Sequence, residues 1–149
     1  MENKYESLML KNQLCFPIYL CSKEIIRKYT PILEEFDLTY TQYIVMMYFW
    51  EVGKSNLKDI GKTLLLDPST LTPLVKKLEK KGYLTRVRST VDERNLDICI
   101  TKKGMELREK ALSIPEKMGK CLDLTEEETK TLYKITYKIL KNTQEKENE

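Results

Sequence analysis

Histidine is absent from this 149-residue chain, and the gap excludes more chemistry than any single residue present admits. Without an imidazole there is no Ser-His-Asp activation of a nucleophile, and a zinc site would have to be built from thiolates and carboxylates alone. The four cysteines, Cys15, Cys21, Cys99 and Cys121, are spaced for neither a zinc ribbon nor a Cys-x-x-Cys redox pair, so structural zinc is not expected. Long apolar runs are missing too. The longest, YIVMMYFW at 43–50, falls far short of the roughly 20 residues a membrane span needs. The start, MENKYESLML, lacks the charged-then-apolar build of a secretory signal, and no internal repeat is evident. These absences predict a cytoplasmic protein with reduced thiols, no membrane association, no metal and no cofactor. At 41% hydrophobic, the chain has enough apolar material for one domain with a real core.

Net charge is only +3, so any nucleic-acid surface has to come from clustering. Between residues 76 and 94, Lys76, Lys77, Lys80, Lys81, Arg86, Arg88 and Arg94 stand against Glu79, Asp92 and Glu93, a net +4 that leaves −1 for the remainder. A charged run alone is equally compatible with a solvated helix face. Local patterning separates the two.

From Asn56, the stretch NLKDIGKTLLLDPSTLTPLVKKLEKKGYL reads as a short helix, a break at LDPS and a second helix. Leu57, Ile60 and Leu64 recur at helical spacing, and Gly61 leaves room for another helix to approach. In the second helix Leu71, Leu74, Val75 and Leu78 form one stripe for burial. The opposite face collects Ser69, Pro73, Lys76 and Lys80, with Thr72 at its margin. Short hydroxyls in front and ammonium groups behind suit a helix entering the major groove. Pro73 requires the first turn to lie close before it, capped by Asp67 or Ser69, and Gly82 ends the helix. YLTRVR (83–88) and LDICI (96–100) then read as paired strands around a polar turn, a hairpin wing whose Arg94 could enter a minor groove, pair with Asp92, or do both.

Residues 66–104, LDPSTLTPLVKKLEKKGYLTRVRSTVDERNLDICITKKG, resemble the winged-helix core of the MarR family of bacterial transcriptional regulators, including the Asp-x-Arg element at Asp92 and Arg94. NQLCFPIYLCSKEIIRKYTPILEEFDLTYTQY (12–43) is similar to its organic hydroperoxide resistance branch and to staphylococcal thiol-sensing relatives. The resemblance implies a mainly α fold with a small β-hairpin wing, a winged helix-turn-helix core and an intertwined helical dimerisation layer. In that scheme 1–149 is a single MarR-type domain. Segments 1–40 and 105–149 supply mainly dimerisation helices, and 41–104 is the DNA-binding lobe. The implied DNA-binding set is Ser69, Thr70, Thr72, Lys76, Lys77, Lys80, Arg86, Arg88, Asp92 and Arg94. The implied partners are a second copy, a pseudo-palindromic double-stranded operator, and an organic hydroperoxide or other oxidant as signal.

Cys15 is the expected trigger. Asn12 reads as an N-cap and Pro17 cannot lie deep in a helix, so Cys15 falls in or near a first turn, where free N–H groups and the helix dipole favour a thiolate. Cys15, Tyr19, Ser22, Ile26 and Tyr29 follow 4-3-4-3 spacing within about 60° on the helical wheel. Tyr29 nevertheless lies roughly 21 Å along the axis from Cys15, beyond reach within one chain. The resemblance implies that partner tyrosines hydrogen-bond the sensing thiolate, and Tyr19 and Tyr29 match those positions. Spacing alone also fits a small buried cysteine with packing tyrosines.

Cys121 precedes a capping box, Thr125-x-x-Glu128, and is a candidate resolving thiol; Cys21 and Cys99 are assigned no role. Thr39-x-x-Gln42 opens a middle helix through Trp50, whose Tyr43, Met46, Met47 and Phe49 suit core packing better than a ligand pocket. Leu132, Ile135, Ile139 and Leu140 mark a final helix. The expected function is a non-enzymatic repressor released from DNA by oxidation of Cys15. The alternative is a regulator gated by a small apolar or phenolic ligand.

Overall fold

The computed structural model describes residues 4–145. Two short 3-10 turns, Glu6–Leu8 and Leu10–Asn12, lead into α1 (Cys15–Glu34) and α2 (Tyr40–Val52). β1 (Lys54–Asn56), α3 (Leu57–Leu64) and α4 (Pro68–Lys80) follow, then β2 (Leu84–Arg88) and β3 (Leu96–Ile100). α5 (Lys102–Ala111), α6 (Ser113–Leu122) and α7 (Glu126–Glu145) complete the order.

The wing is broader than a hairpin. β2 and β3 pair antiparallel as expected, from Leu84 opposite Ile100 to Arg88 opposite Leu96. β1 then adds a third antiparallel strand, Lys54 opposite Cys99 and Asn56 opposite Asp97, so the sheet order is β1-β3-β2. Three residues are too few for alternation to register in a sequence. β1 is held instead by its ladder and by the Lys54–Asp97 ion pair at 2.8 Å.

The chain folds as two compact units, one up to Ile114 and one from Pro115 onward. In the first, α2 supplies the centre: Val45, Met46 and Phe49 are fully buried, which makes the aromatic and methionine stripe core, while Met47 is exposed. Its Thr39–Gln42 capping box forms in full. Around it pack Leu33 of α1, Ile60 of α3, the stripe of α4, Leu84, Ile98, and Leu107 of α5. The Trp50 indole donates to the Gly104 carbonyl at 2.9 Å, and a Cβ at Gly104 would collide with the Tyr83 carbonyl. Only glycine allows α5 to begin so close to the chain entering β2.

In the second unit the Thr125–Glu128 box caps α7, Thr125 N–H donating to Glu128 Oε2 at 2.9 Å and Glu128 N–H to Thr125 Oγ1 at 3.2 Å. Leu132, Ile135, Ile139 and Leu140 are 41–50% exposed.

Candidate functional site

The helix-turn-helix is built by two opposed demands, burial of one stripe and capping of one end. Leu71, Leu74, Val75 and Leu78 are all buried, as their spacing predicts. The chain leaves α3 through Leu65 in the left-handed region (φ 52°), and Leu66 N–H bonds the Gly61 carbonyl at 3.1 Å. At Gly61 a Cβ would stand 2.8 Å from the Leu66 carbonyl oxygen and 3.8 Å from Leu71 of α4, so its missing side chain accommodates this turn first and the neighbouring helix second.

The cap of α4 is Asp67. Its Oδ1 accepts from Thr70 N–H at 3.0 Å, and the hydroxyls of Ser69 and Thr70 both donate to the same carboxylate. These bonds, with Ser69 first, hold the Asp67 carboxyl below the usual range. Pro68 occupies the first helical position and costs no hydrogen bond there, whereas Pro73 lies deeper in the same helix. At the other end Gly82 (φ 80°) closes a Schellman motif: Tyr83 N–H donates to the Leu78 carbonyl at 3.0 Å and Gly82 N–H to that of Glu79 at 2.8 Å.

Ser69, Thr70, Lys76, Lys77 and Lys80 are exposed on α4, with Thr72 half-buried beside them. Arg88 and Arg94 are exposed on the wing. Two members of the basic cluster are engaged inside the protein. Arg86 binds Glu79, with Nη2 to Oε2 at 2.7 Å and Nε to Oε2 at 2.8 Å, while its backbone N–H takes Oε1 at 3.2 Å. Lys81 turns inward to Asp37. Asp92 shapes the turn: its Oδ1 accepts from Arg94 N–H at 3.0 Å and its Oδ2 from Asn95 at 3.3 Å. The Asp92 carboxylate binds the Arg94 backbone N–H and the Asn95 side-chain amide, and among the described residues it makes no ion pair with the Arg94 guanidinium.

Cys15 is the first residue of α1 and is exposed. The expected cap at Asn12 does not form. Asn12 ends a 3-10 turn and donates to the Glu6 carbonyl at 2.7 Å, and the residue before the helix is Leu14, itself in helical geometry without a side-chain cap. Pro17 falls in the first turn, where an N–H has no intrahelical partner to lose, and α1 runs unbroken for 20 residues.

Tyr19 sits one turn after Cys15 on the same face and is 57% exposed, with Lys23 Nζ 5.2 Å from its ring centroid. Tyr29 lies far along the helix and packs on α2, its ring 4.7 Å from Tyr40 and 5.9 Å from Tyr43. Burial, with smaller effects of Tyr40 and Tyr43, pushes its phenol up to about 12, so it remains a proton donor. Sequence reasoning missed Tyr40. It lies across the α1–α2 elbow from Tyr29, and a helical wheel carries no information beyond the end of its own helix. Of the remaining thiols, Cys21 and Cys121 are exposed and Cys99 is half-buried on β3. Among the described residues no helix is long and apolar enough to cross a membrane.

Known proteins resemble this chain in sequence and fold. The HTH-type transcriptional regulator SarZ of Staphylococcus saprophyticus is 49% identical over 128 residues, 86% of each chain. The organic hydroperoxide resistance transcriptional regulator of Bacillus subtilis is 40% identical over 149 residues, 98% of this chain and 99% of its own. Among solved structures, reduced AbfR bound to DNA has a TM-score of 0.75 at 35% identity, covering 95% of this chain and 99% of that one. Disulfide-formed AbfR has a TM-score of 0.66 at 34% identity, covering 94% and 96%; AbfR comes from Staphylococcus epidermidis. Residues 27–111 match the family described as transcriptional regulator SarA/Rot, and with the winged helix-turn-helix and these relatives they make the chain a SarA/Rot-type transcriptional regulator of the MarR family.

Proposed function

We propose that the protein is a homodimeric, DNA-binding repressor that leaves a pseudo-palindromic operator when an organic hydroperoxide or another oxidant oxidises Cys15. The observation that carries the reading is the exposed Cys15 at the uncapped start of α1, with Tyr19 one turn away, in a chain whose α4 and wing present Lys76, Lys77, Lys80, Arg88 and Arg94 outward. The names of the hydroperoxide regulator and of reduced and disulfide-formed AbfR support it. The protein acts in the cytoplasm without enzymatic turnover.

In the chemical step the Cys15 thiolate attacks one peroxide oxygen, the O–O bond breaks, and the leaving alkoxide takes a proton. The products are a sulfenic acid and an alcohol. A thiol then displaces water to form a disulfide; Cys121 or a small thiol fills that role. The partner's Tyr19 and Tyr29 hydrogen-bond the Cys15 thiolate. Tyr29, about 21 Å along the axis, acts on the partner's thiolate across antiparallel α1 helices. Segments 1–40 and 105–149 form the dimer layer and 41–104 the DNA lobe. One α4 from each subunit then reads half-sites about 34–36 Å apart.

Gel shifts on the protein's own upstream region test this. Reduced protein is expected to bind and hydroperoxide-treated protein to release, while Cys15→Ser binds and ignores the oxidant. Release that persists in Cys15→Ser would instead favour gating by a small apolar or phenolic ligand. The open groove lined by Ile26, Thr30, Glu34, Leu38 and Tyr40 suits that second reading.

A further inference from the structure

The run KKLEKK at 76–81 holds four lysines of the basic cluster; Lys76, Lys77 and Lys80 are exposed, and the last, Lys81, is half-buried. The Lys81 ammonium donates to the Asp37 carbonyl, lies 3.0 Å from Asp37 Oδ2 and 3.4 Å from Gln42 Oε1. Three acceptors meet its three N–H donors. Two belong to Asp37 in the elbow between α1 and α2, and the third to Gln42 in the first turn of α2. Asp37 sits in the left-handed region at φ 52°, which aspartate enters more readily than most other non-glycine residues. Gln42 is buried, and the same Oε1 accepts from Thr39 N–H at 3.1 Å to complete the cap of α2. The Lys81 backbone is held from another side, its carbonyl accepting from Lys103 Nζ at 2.7 Å.

We propose that Lys81 is the positioning residue that couples the α1–α2 elbow to the C-terminal end of α4, so that a change in α1 re-aims the DNA-reading helix. The inference rests on the reading of Cys15 as the sensor and α4 as the DNA-reading helix. The elbow directly follows α1, which begins with Cys15, and the clamp joins it to α4 through one side chain across 44 residues of sequence. While the clamp holds, a shift of the elbow biases the position of that end of α4. The pair contributes little to stability, because the Asp37 side chain is 87% exposed. Removing the ammonium strands no buried acceptor, since Gln42 Oε1 keeps its bond from Thr39 N–H and Asp37 meets water. The clamp is therefore suited to transmitting a change rather than to holding the fold.

Operator affinity of the full-length protein, measured by fluorescence anisotropy before and after cumene hydroperoxide treatment, provides the test. In wild type the ratio of oxidised to reduced Kd is expected to fall within the usual range of allosteric coupling, about 5- to 150-fold. Lys81→Met and Asp37→Asn should retain reduced-state affinity within about threefold of wild type while the ratio falls by about two- to fivefold, the most that a contact with so exposed a partner carries. Asparagine tolerates the left-handed conformation, so the second variant removes the carboxylate without straining the turn. Lys81→Arg, which keeps charge and donors, should retain the ratio. If both uncoupling variants respond to oxidation as wild type does, or lose affinity equally in both states, the inference is overturned. A wild type that binds but ignores oxidation overturns the reading of Cys15 and the inference with it.

Discussion

The α4 and wing region and the two long helices α1 and α7 solve the same problem, burial of an apolar stripe, to different degrees. In α4 every member of the stripe is buried within the lobe and both helix ends are capped by the protein's own groups. In α1, 20 residues long, only Leu33 is buried, and Ile18, Tyr19, Leu20 and Ile26 are 41–57% exposed. α7, within its own unit, leaves Leu132, Ile135, Ile139 and Leu140 exposed to a similar degree. A short helix with a buried stripe stands on tertiary packing, whereas a long helix with an exposed stripe is incomplete without a surface to cover it. The lobe buries its own stripe, and the long helices leave theirs exposed, as the dimer layer proposed above requires.

The largest expected effect breaks the self-sufficient side. Phe49→Ala should cost about 3–5 kcal/mol in urea denaturation at every protein concentration, because the ring is fully buried among α2's neighbours. Ile135→Asp should act differently, weakening self-association by about 1.5–3 kcal/mol per interface side chain. Sedimentation would show dissociation at concentrations where wild type stays associated, and the melting temperature would depend less on protein concentration once the monomer is populated. If Ile135→Asp instead lowered stability without dissociation, the contrast between the regions would fail.

A smaller comparison separates two arginines that composition treats alike. Arg94→Ala should weaken operator binding by about 1–3 kcal/mol if the guanidinium reads the minor groove, and leave the melting curve unchanged. Arg86→Ala should do the reverse, losing the Glu79 pair, worth up to about 1 kcal/mol of stability, with little change in DNA affinity. Affinity should also fall steeply with salt wherever lysines displace counterions.

The smallest effect is a titration. Tyr29 has its phenol raised by burial to about 12 from an ordinary 10.0, so the folded state prefers its neutral form. That contribution is fully present below pH 10 and declines as pH rises through 12. Phenolate absorbance should show Tyr29 titrating late, together with Tyr40 and Tyr43, which burial also raises, and Tyr29→Phe should lessen the alkaline loss of helicity. A Tyr29 that titrates with the exposed tyrosines would place it outside the aromatic cluster.

What the sequence determined by itself is local: the buried stripe of α4, both capping boxes, the paired strands β2 and β3, and Cys15 in the first turn of α1. Each is set by residues within a few positions of one another, through helical or strand periodicity and side-chain capping. Tertiary structure decided which equivalent candidates do what. It chose Asp67 over Ser69 as the cap through the direction of the carboxylate and turned Lys81 and Arg86 inward while their neighbours stayed outside. It also paired the three residues of β1 with β3 and brought Tyr40 onto Tyr29. Those outcomes depend on acceptors and rings from other parts of the chain, and charge, propensity and spacing read along a single segment hold no information about a partner that only folding supplies.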